Sequence, residues 1–270
     1  MIYLPFYLVI IFELLLFFTG ASIYSFLEVI IDRVPRKVSF IKGRSVCDSC
    51  GHELGVFDLI PVFSWLFLGG KCRYCKSKIP ATLFFKEIAG GLSLAIGVFF
   101  ITNTFGFSWQ ILVKILMFFI FGCVCNVTGG IYIKTGKIGL TSVIFTFVLA
   151  VLRFLMPVIE GHVKLNTGYY NSYYSLYGGA IMLGACVIVW FIKDKMHVFE
   201  WLFLVSSGLV LGGGRTCASI ALFVLALVVI IIYKKCKKMP VKRRLLPYIS
   251  VLCFSMQIIS WALTGLKIRF

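Results

Sequence analysis

Four cysteines in one basic loop are the residues best suited to chemistry in this chain of 270 residues. They form two Cys-x-x-Cys pairs, Cys47 with Cys50 and Cys72 with Cys75, separated by 21 residues. Each pair places two thiolates on one tight turn, and two such turns can bind a tetrahedral zinc ion. Because sulfur fills all four positions, the pattern predicts a structural zinc site with no open place for water. The alternative is two disulfides, which a reducing cytosol opposes.

The segment between the two pairs is apolar but short. It reads "FDLIPVFSWLFLGG" and has too few residues to cross a bilayer. We expect it to lie in the membrane interface or to dip into the membrane, with Trp65 at headgroup depth. Asp58 at its start is either a solvated interface residue or a functional one. His52 is expected to lie beside the metal or in solvent, because four cysteines already supply the ligands.

The remaining cysteines show no metal-binding spacing. They fall in or beside apolar runs, which favours small buried thiols over disulfides: Cys123, Cys125, Cys186, Cys217, Cys236 and Cys253.

Acidic side chains for proton transfer are scarce beyond residue 100. Only Glu160, Asp194 and Glu200 are present there, and loop charge assigns Glu160 to the outer face. A two-carboxyl protease shares one proton between paired acids. Asp194 and Glu200 are six residues apart, so on one continuous helix they would point about 120° away from each other. A dyad made of these two would need a broken helix.

Two histidines are interpreted as polar boundary residues and not as catalysts, His162 on the outer loop and His197 at the inner boundary. The "GGG" at 212–214 lacks the residues of a phosphate-binding loop and is interpreted as a turn.

Composition places these residues in a membrane protein. Hydrophobic residues make up 60% of the chain, charged residues make up 14%, and the mean hydropathy is +1.01. The excess of 27 Lys and Arg over 10 Asp and Glu lies in short segments between apolar runs. The positive-inside rule accounts for this distribution, which argues against a nucleic-acid partner.

Eight apolar runs are long enough to be candidate spans, and backbone groups in lipid must pair internally, so all are predicted to be helices. The runs are 4–30, 80–102, 109–127, 138–158, 173–192, 197–213, 215–233 and 245–265. The 32–79 loop carries nine Lys and Arg, whereas the next loop, "NTFGFSWQ", carries no charge. Alternation of basic and uncharged loops predicts that both termini are outside and that the tetracysteine loop is cytoplasmic. The predicted fold is an all-α polytopic membrane protein with about eight transmembrane helices and a cytoplasmic zinc-ribbon-like loop.

Several segments together resemble the type IV prepilin peptidase family. They are "SFLEVIIDRVP" at 25–35, "RSVCDSCGHEL" at 44–54, "DLIPVFSWLFLGGKCRYCKSKIP" at 58–80 and "KEIAGG" around Glu87. The first commonly reads Gly-Ser-Phe-Leu-Asn in the family, and Tyr24 and Glu28 replace its Gly and Asn here. The resemblance implies a multi-pass enzyme of the bacterial inner membrane that cuts leader peptides from prepilins or pseudopilins and N-methylates the new terminus.

The resemblance also implies a division of labour along the chain. Residues 1–102 correspond to the portion linked to methyl transfer from S-adenosylmethionine, and residues 103–270 to a six-span peptidase-like membrane domain. The family's two catalytic aspartates align with Asn126 in "CNVTGGIYIK" and with Glu200 in "MHVFEWLF". His197 and Phe199 stand where the glycines of the second motif would be. An amide at 126 cannot take a proton from water, so cleavage by an aspartic endopeptidase mechanism is doubtful.

Two other hypotheses remain open. A non-catalytic homologue would bind a pilin-like helix and assist pilus or secretion-system assembly, keeping the fold and the zinc loop without the acids. A zinc-stapled transporter is argued only by the number of spans. The sequence does not predict the oligomeric state.

Overall fold

The computed structural model describes residues 6–105, 109–161, 172–191 and 197–236. Within these ranges the chain is helical, and β-structure is limited to two isolated bridges. The elements are α1 (Phe6–Arg33), a 3-10 helix (Val56–Asp58), α2 (Phe63–Phe67), α3 (Ala81–Phe105), α4 (Trp109–Thr135), α5 (Leu140–Gly161), α6 (Ser172–Phe191), α7 (Val198–Leu211) and α8 (Gly213–Cys236). The prediction of an all-helical protein is confirmed.

Seven of the eight predicted spans coincide with helices, and the eighth, 245–265, lies outside the described residues. Among the described residues, Tyr7–Arg33 and Ile115–Thr135 are long and apolar enough to cross a membrane. Four shorter apolar helices lie within the described residues: Leu140–Leu155, Ser175–Ile188, Val198–Leu211 and Gly213–Ala226. The count of about eight spans therefore stays a prediction.

The chain forms two compact units, Met1–Leu116 and Met117–Phe270, which divide within α4. The predicted assignment of residues 1–102 to methyl transfer and of residues 103–270 to a peptidase-like domain concerns activity and stays a prediction.

In the first unit, α1 and α3 pack closely because glycines line their contact. A Cβ at Gly20 would clash with the carbonyl oxygen of Gly90, and a Cβ at Gly90 would clash with the ring of Tyr24. Tyr24 is fully buried here. Small residues at a helix contact bring the backbones together, which is a common way of packing helices in membranes. Lys86 Nζ donates to Glu28 Oε1 at 2.7 Å and adds a polar contact to this pair.

In the second unit, α6 and α7 meet where Gly178 faces the backbone of Gly208. A hydrophobic cluster from α4 to α7 forms the core and includes Phe121, Met182 and Phe203. Arg215 lies in the first turn of α8. Its guanidinium lies over the Phe118 ring, 4.5 Å from the centroid, so an aromatic face covers this charge.

Candidate functional site

The two cysteine pairs fold as two equivalent knuckles. In the first, the Gly51 N–H donates to Cys47 O at 2.8 Å, and in the second, the Lys76 N–H donates to Cys72 O at 3.1 Å. Gly51 and Lys76 both have positive φ, 70° and 60°, which turns the chain sharply after the second cysteine of each pair. The bridges Val46 to Glu53 and Lys71 to Lys78 close each knuckle as a small hairpin.

The knuckles bring the four sulfurs of Cys47, Cys50, Cys72 and Cys75 within 4.8 Å of one another. The Sγ atoms of Cys47 and Cys75 are 3.8 Å apart. A tetrahedral ion with zinc–sulfur bonds of about 2.3 Å separates its sulfurs by about 3.8 Å, so the cluster fits zinc. None of the eight cysteines whose side chains the structure describes is in a disulfide. The grouping predicted from spacing is therefore present, and its donors suit a structural zinc ion.

The thiols differ in acidity because their surroundings differ. Hydrogen bonds from the backbone of Ser49 and Cys50 lower the pKa of Cys47 to about 6. At Cys50 a backbone hydrogen bond from His52 lowers the pKa, but desolvation and the neighbouring thiols of Cys47 and Cys75 outweigh it and raise the pKa to about 11. Four thiolates packed this closely repel one another, and a divalent cation would remove that repulsion.

Ser77 supports the cluster from the second knuckle. Its Oγ lies 3.1 Å from Cys75 Sγ and 3.8 Å from Cys47 Sγ. Its side chain and backbone hydrogen bonds lower the pKa of Cys75. His52 is exposed and stacks on Tyr74, with ring centroids 3.6 Å apart. It lies outside the group of potential metal ligands, in agreement with the expectation from sequence.

Asp58 ties the apolar segment to the second knuckle. Arg73 Nε donates to its Oδ1 at 2.6 Å, and the Gly55 N–H donates to its Oδ2 at 3.1 Å. Desolvation raises the pKa of Asp58, but the hydrogen bonds from Arg73 and Gly55 outweigh it and hold the pKa below its usual value. Of the two readings left open by the sequence, the contacts give Asp58 a positioning role inside the loop.

The apolar segment is held against the helices by a strained turn. Val62 has a φ of 67°, which is unfavourable for a β-branched residue, and the Phe63 N–H donates back to Pro61 O at 2.7 Å. Glu87 Oε2 accepts the Val62 N–H at 2.7 Å and holds this turn. Trp65 stacks on Phe84 of α3 with ring centroids 4.6 Å apart, so the protein itself covers one face of the indole.

Asn126, which the resemblance aligns with a family aspartate, is fully buried in α4. Neither its Oδ1 nor its Nδ2 makes a hydrogen bond to another described residue. It is therefore not hydrogen-bonded to Glu200. A buried amide without partners costs about 1–3 kcal/mol and is rare in proteins, which singles out this position.

Glu200, the second aligned position, lies in the first turn of α7 and is 5% exposed. Its Oε2 accepts the His197 N–H at 2.9 Å, and His197 Nδ1 accepts the Phe199 N–H at 3.4 Å. Glu200 thus contributes to the N-terminal cap of its own helix. The sequence reasoning missed this cap, because histidine is an unusual N-cap residue. His162 and Asp194 lie outside the described residues.

Two residues that position the site were also missed from sequence. Ser77 supports the thiols and Glu87 supports the turn at Val62. Glu87 was visible only as part of the "KEIAGG" segment, and its partner is 25 residues away.

Comparisons with known proteins agree with the resemblance. Residues 18–101, about a third of the chain, match the bacterial peptidase A24 N-terminal domain. The chain is 34% identical over 114 residues to the prepilin leader peptidase/N-methyltransferase of Myxococcus xanthus, covering 42% of this chain and 33% of the relative. It is 37% identical over 73 residues to that of Vibrio cholerae, covering 24% of this chain and 29% of the relative. For the protein of the same name from Pseudomonas aeruginosa the identity is 29% over 114 residues, covering 34% and 38%.

The matched region thus spans only about a third of the length of these relatives. No solved structure shows a significant match. The family match includes all four cysteines, Asp58 and Glu87 and ends before Asn126. Residues 18–101 of this chain are thus similar to the N-terminal domain of bacterial A24 peptidases and to part of the prepilin leader peptidase/N-methyltransferases named above.

Proposed function

We propose that this protein binds a type IV prepilin or pseudopilin at the bacterial inner membrane and methylates the N-terminus of the processed pilin, with leader cleavage weak or absent. The observation that carries the proposal is the uneven match along the chain. Residues 18–101 match the family domain and hold the tetracysteine cluster, whereas the match ends before Asn126 and Glu200, which the resemblance aligns with the catalytic aspartates. In this proposal residues 1–102 serve methyl transfer and residues 103–270 form the peptidase-like membrane domain.

The contacts of Asn126 and Glu200 argue against efficient cleavage. An aspartic mechanism needs two carboxyl groups that share a proton around one water. Asn126 supplies an amide that has no hydrogen-bond partner among the described residues, and Glu200 Oε2 accepts the backbone N–H of His197. Because an amide does not exchange a proton with water, these two side chains would not form the proton-sharing pair that the reaction needs.

Methyl transfer would use S-adenosylmethionine, which supplies an activated methyl group. The α-amine of the pilin takes the methyl, and S-adenosylhomocysteine and a proton leave. The described residues assign no pocket to this cofactor. The cavity in the first unit is lined mainly by Phe, Ile and Leu, with Ser64 and Arg73 as its polar residues. Because a leader blocks the amine that is methylated, an enzyme that cleaves poorly would act on a pilin already processed by another peptidase.

The proposed topology follows loop charge. We infer that both termini are outside and that the tetracysteine loop lies in the cytoplasm, where thiols stay reduced and available to zinc.

A non-catalytic homologue is the second candidate. It is favoured by the same substitutions at 126 and 200, since binding a pilin-like helix requires neither acid. It would retain affinity for the prepilin and show no turnover.

One assay separates the candidates. The purified protein in proteoliposomes is given labelled S-adenosylmethionine and either an intact prepilin or the same pilin with its leader already removed. We expect methyl incorporation into the shortened pilin and little leader loss from the intact one. Leader loss at the rate of a relative such as the Myxococcus protein would contradict the proposal. Binding of both substrates with no turnover would favour the non-catalytic homologue.

A further inference from the structure

The segment between the two knuckles exposes more apolar surface than a water-facing loop can sustain. We call residues 56–68 the apolar flap. Val56, Phe57 and Phe67 are 80%, 75% and 84% exposed. Burying one such side chain is favourable by about 1.5–3 kcal/mol, and clustered exposed apolar residues mark a contact surface. A partner protein or membrane lipid must therefore cover the flap.

The position of the flap along α1 points to that partner. The Phe63 ring stacks on the ring of Phe18, with centroids 5.3 Å apart. Phe18 precedes Arg33, the last residue of α1, by 15 residues, which corresponds to about 22 Å along a helix. It lies within Tyr7–Arg33, which is long and apolar enough to cross a membrane. The flap thus lies beside the apolar part of this helix and not at its basic end.

The second knuckle follows the flap in the chain and carries exposed positive charge. Lys71, Arg73, Lys76 and Lys78 are exposed, and residues 69–80 contain no acidic residue. We call the three lysines the basic rim. Arg73 lies at the edge of a cavity of about 520 Å³ that is otherwise lined mainly by flap side chains, among them Phe57, Phe63 and Phe67. Cationic groups above apolar ones match the order of an anionic lipid monolayer, in which headgroup charge lies above acyl chains.

We propose that the apolar flap inserts into the near leaflet of the membrane and that the basic rim binds the headgroups of anionic phospholipids, which fixes the tetracysteine cluster at the membrane surface. The flap is held in place from within the first unit by the bond from Val62 N–H to Glu87 and by the link from Asp58 to Arg73. The inference is independent of methyl transfer and of cleavage.

Photo-crosslinking in the full-length protein tests the insertion. p-Benzoylphenylalanine replaces Phe57 or Phe67 in separate variants, reconstituted in nanodiscs of phosphatidylcholine and phosphatidylglycerol. Leu15, 61% exposed on α1, is the lipid-facing control position, and exposed Asp48 of the first knuckle, outside the basic rim, is the water-facing one. Retained zinc in each variant verifies that the loop is folded.

We expect adducts heavier by one phospholipid at positions 57, 67 and 15 and none at 48. Adducts at 15 but not at 57 or 67 would overturn the insertion, and so would crosslinks from 67 only to a pilin-like helix supplied in the same sample.

The share of phosphatidylglycerol among the adducts tests the basic rim. We expect this share to be at least about threefold higher at position 57 than at position 15, because each basic residue near an anionic surface adds to the attraction. Lys→Gln substitutions at 71, 76 and 78 together should abolish the enrichment while leaving the adduct at 67. Equal shares at 57 and 15 in the unsubstituted rim would overturn the headgroup part of the proposal.

Discussion

Substitution of one cysteine gives the sharpest test of the metal cluster. Cys72 is the most suitable choice, because it is only 3% exposed and solvent cannot readily replace its sulfur. A structural zinc site contributes about 10–16 kcal/mol of binding free energy over four ligands, or roughly 3 kcal/mol for each. Since about 1.4 kcal/mol corresponds to a tenfold change, Cys72→Ser should weaken zinc binding by about a hundredfold to a thousandfold.

Competition with a chromophoric zinc chelator on the purified, detergent-solubilised protein measures this affinity, and elemental analysis gives the stoichiometry. We expect one zinc per chain in the wild type and loss of zinc to the chelator in Cys72→Ser. Ser77→Ala removes the hydroxyl 3.1 Å from Cys75 Sγ and should cost only about tenfold, as is typical for groups behind the ligands. His52→Ala is the matched control and should leave the affinity unchanged.

Two results would refute the reasoning. One is a wild-type protein isolated without metal and with its four loop cysteines joined in disulfides. The other is a Cys72→Ser variant that binds zinc as tightly as the wild type, which would show that Cys72 is not a ligand.

Three further predictions concern the residues that position the site. Asp58→Asn should destabilise the loop by about 1–2 kcal/mol, measured as faster hydrogen exchange of residues 55–75, since it weakens a charged hydrogen bond that is partly exposed at Arg73. The pKa of Asp58 is lowered in the folded protein, so the stability that its carboxylate contributes is present above about pH 4 and is lost as the pH falls through the folded pKa. An Asp58→Asn loop whose stability depends on acid just as the wild-type loop does would contradict this. Glu87→Ala should release the turn at Val62 and expose residues 60–66 to protease. Adding Val62→Gly should restore part of the protection, because glycine adopts the φ of 67° without strain. Equal cleavage of the single and the double variant would argue against the strained turn. Gly20→Val should separate α1 from α3 and lower the thermal stability of the first unit. Gly51→Ala is the control, since its added Cβ meets no atom within 4 Å and the only cost comes from the backbone φ of 70°. Equal losses of helix packing in the two variants would contradict the role given to Gly20.

Features that depend on local sequence were predictable. The four cysteines could be assigned to one site because Cys-x-x-Cys knuckles form within a few residues of chain. The apolar runs predicted the helices because helix formation also depends on neighbouring residues of the chain. Even the short break between α7 and α8 was visible at "GGG". In the structure only Gly212 separates the two helices, and its φ of 81° is readily adopted only by glycine.

Features that depend on distant contacts were not predictable. Nothing in the segment around Asp58 indicates that Arg73 and Tyr74 donate to its carboxylate, because these partners are 15 and 16 residues away. The same holds for Glu87 and the turn at Val62. The role of Asn126 stays a prediction, and the structure adds that its amide is buried and makes no hydrogen bond within the part of the chain that the structure describes.

The mass of a cognate prepilin, co-expressed with this protein in cells that lack any other prepilin peptidase, tests the central claim most directly. We predict that the prepilin keeps its leader with the wild-type protein, because the amide of an asparagine at 126 cannot share a proton with the carboxylate at 200. A prepilin population that has mostly lost its leader, and keeps it when Glu200→Ala is introduced, would contradict the account.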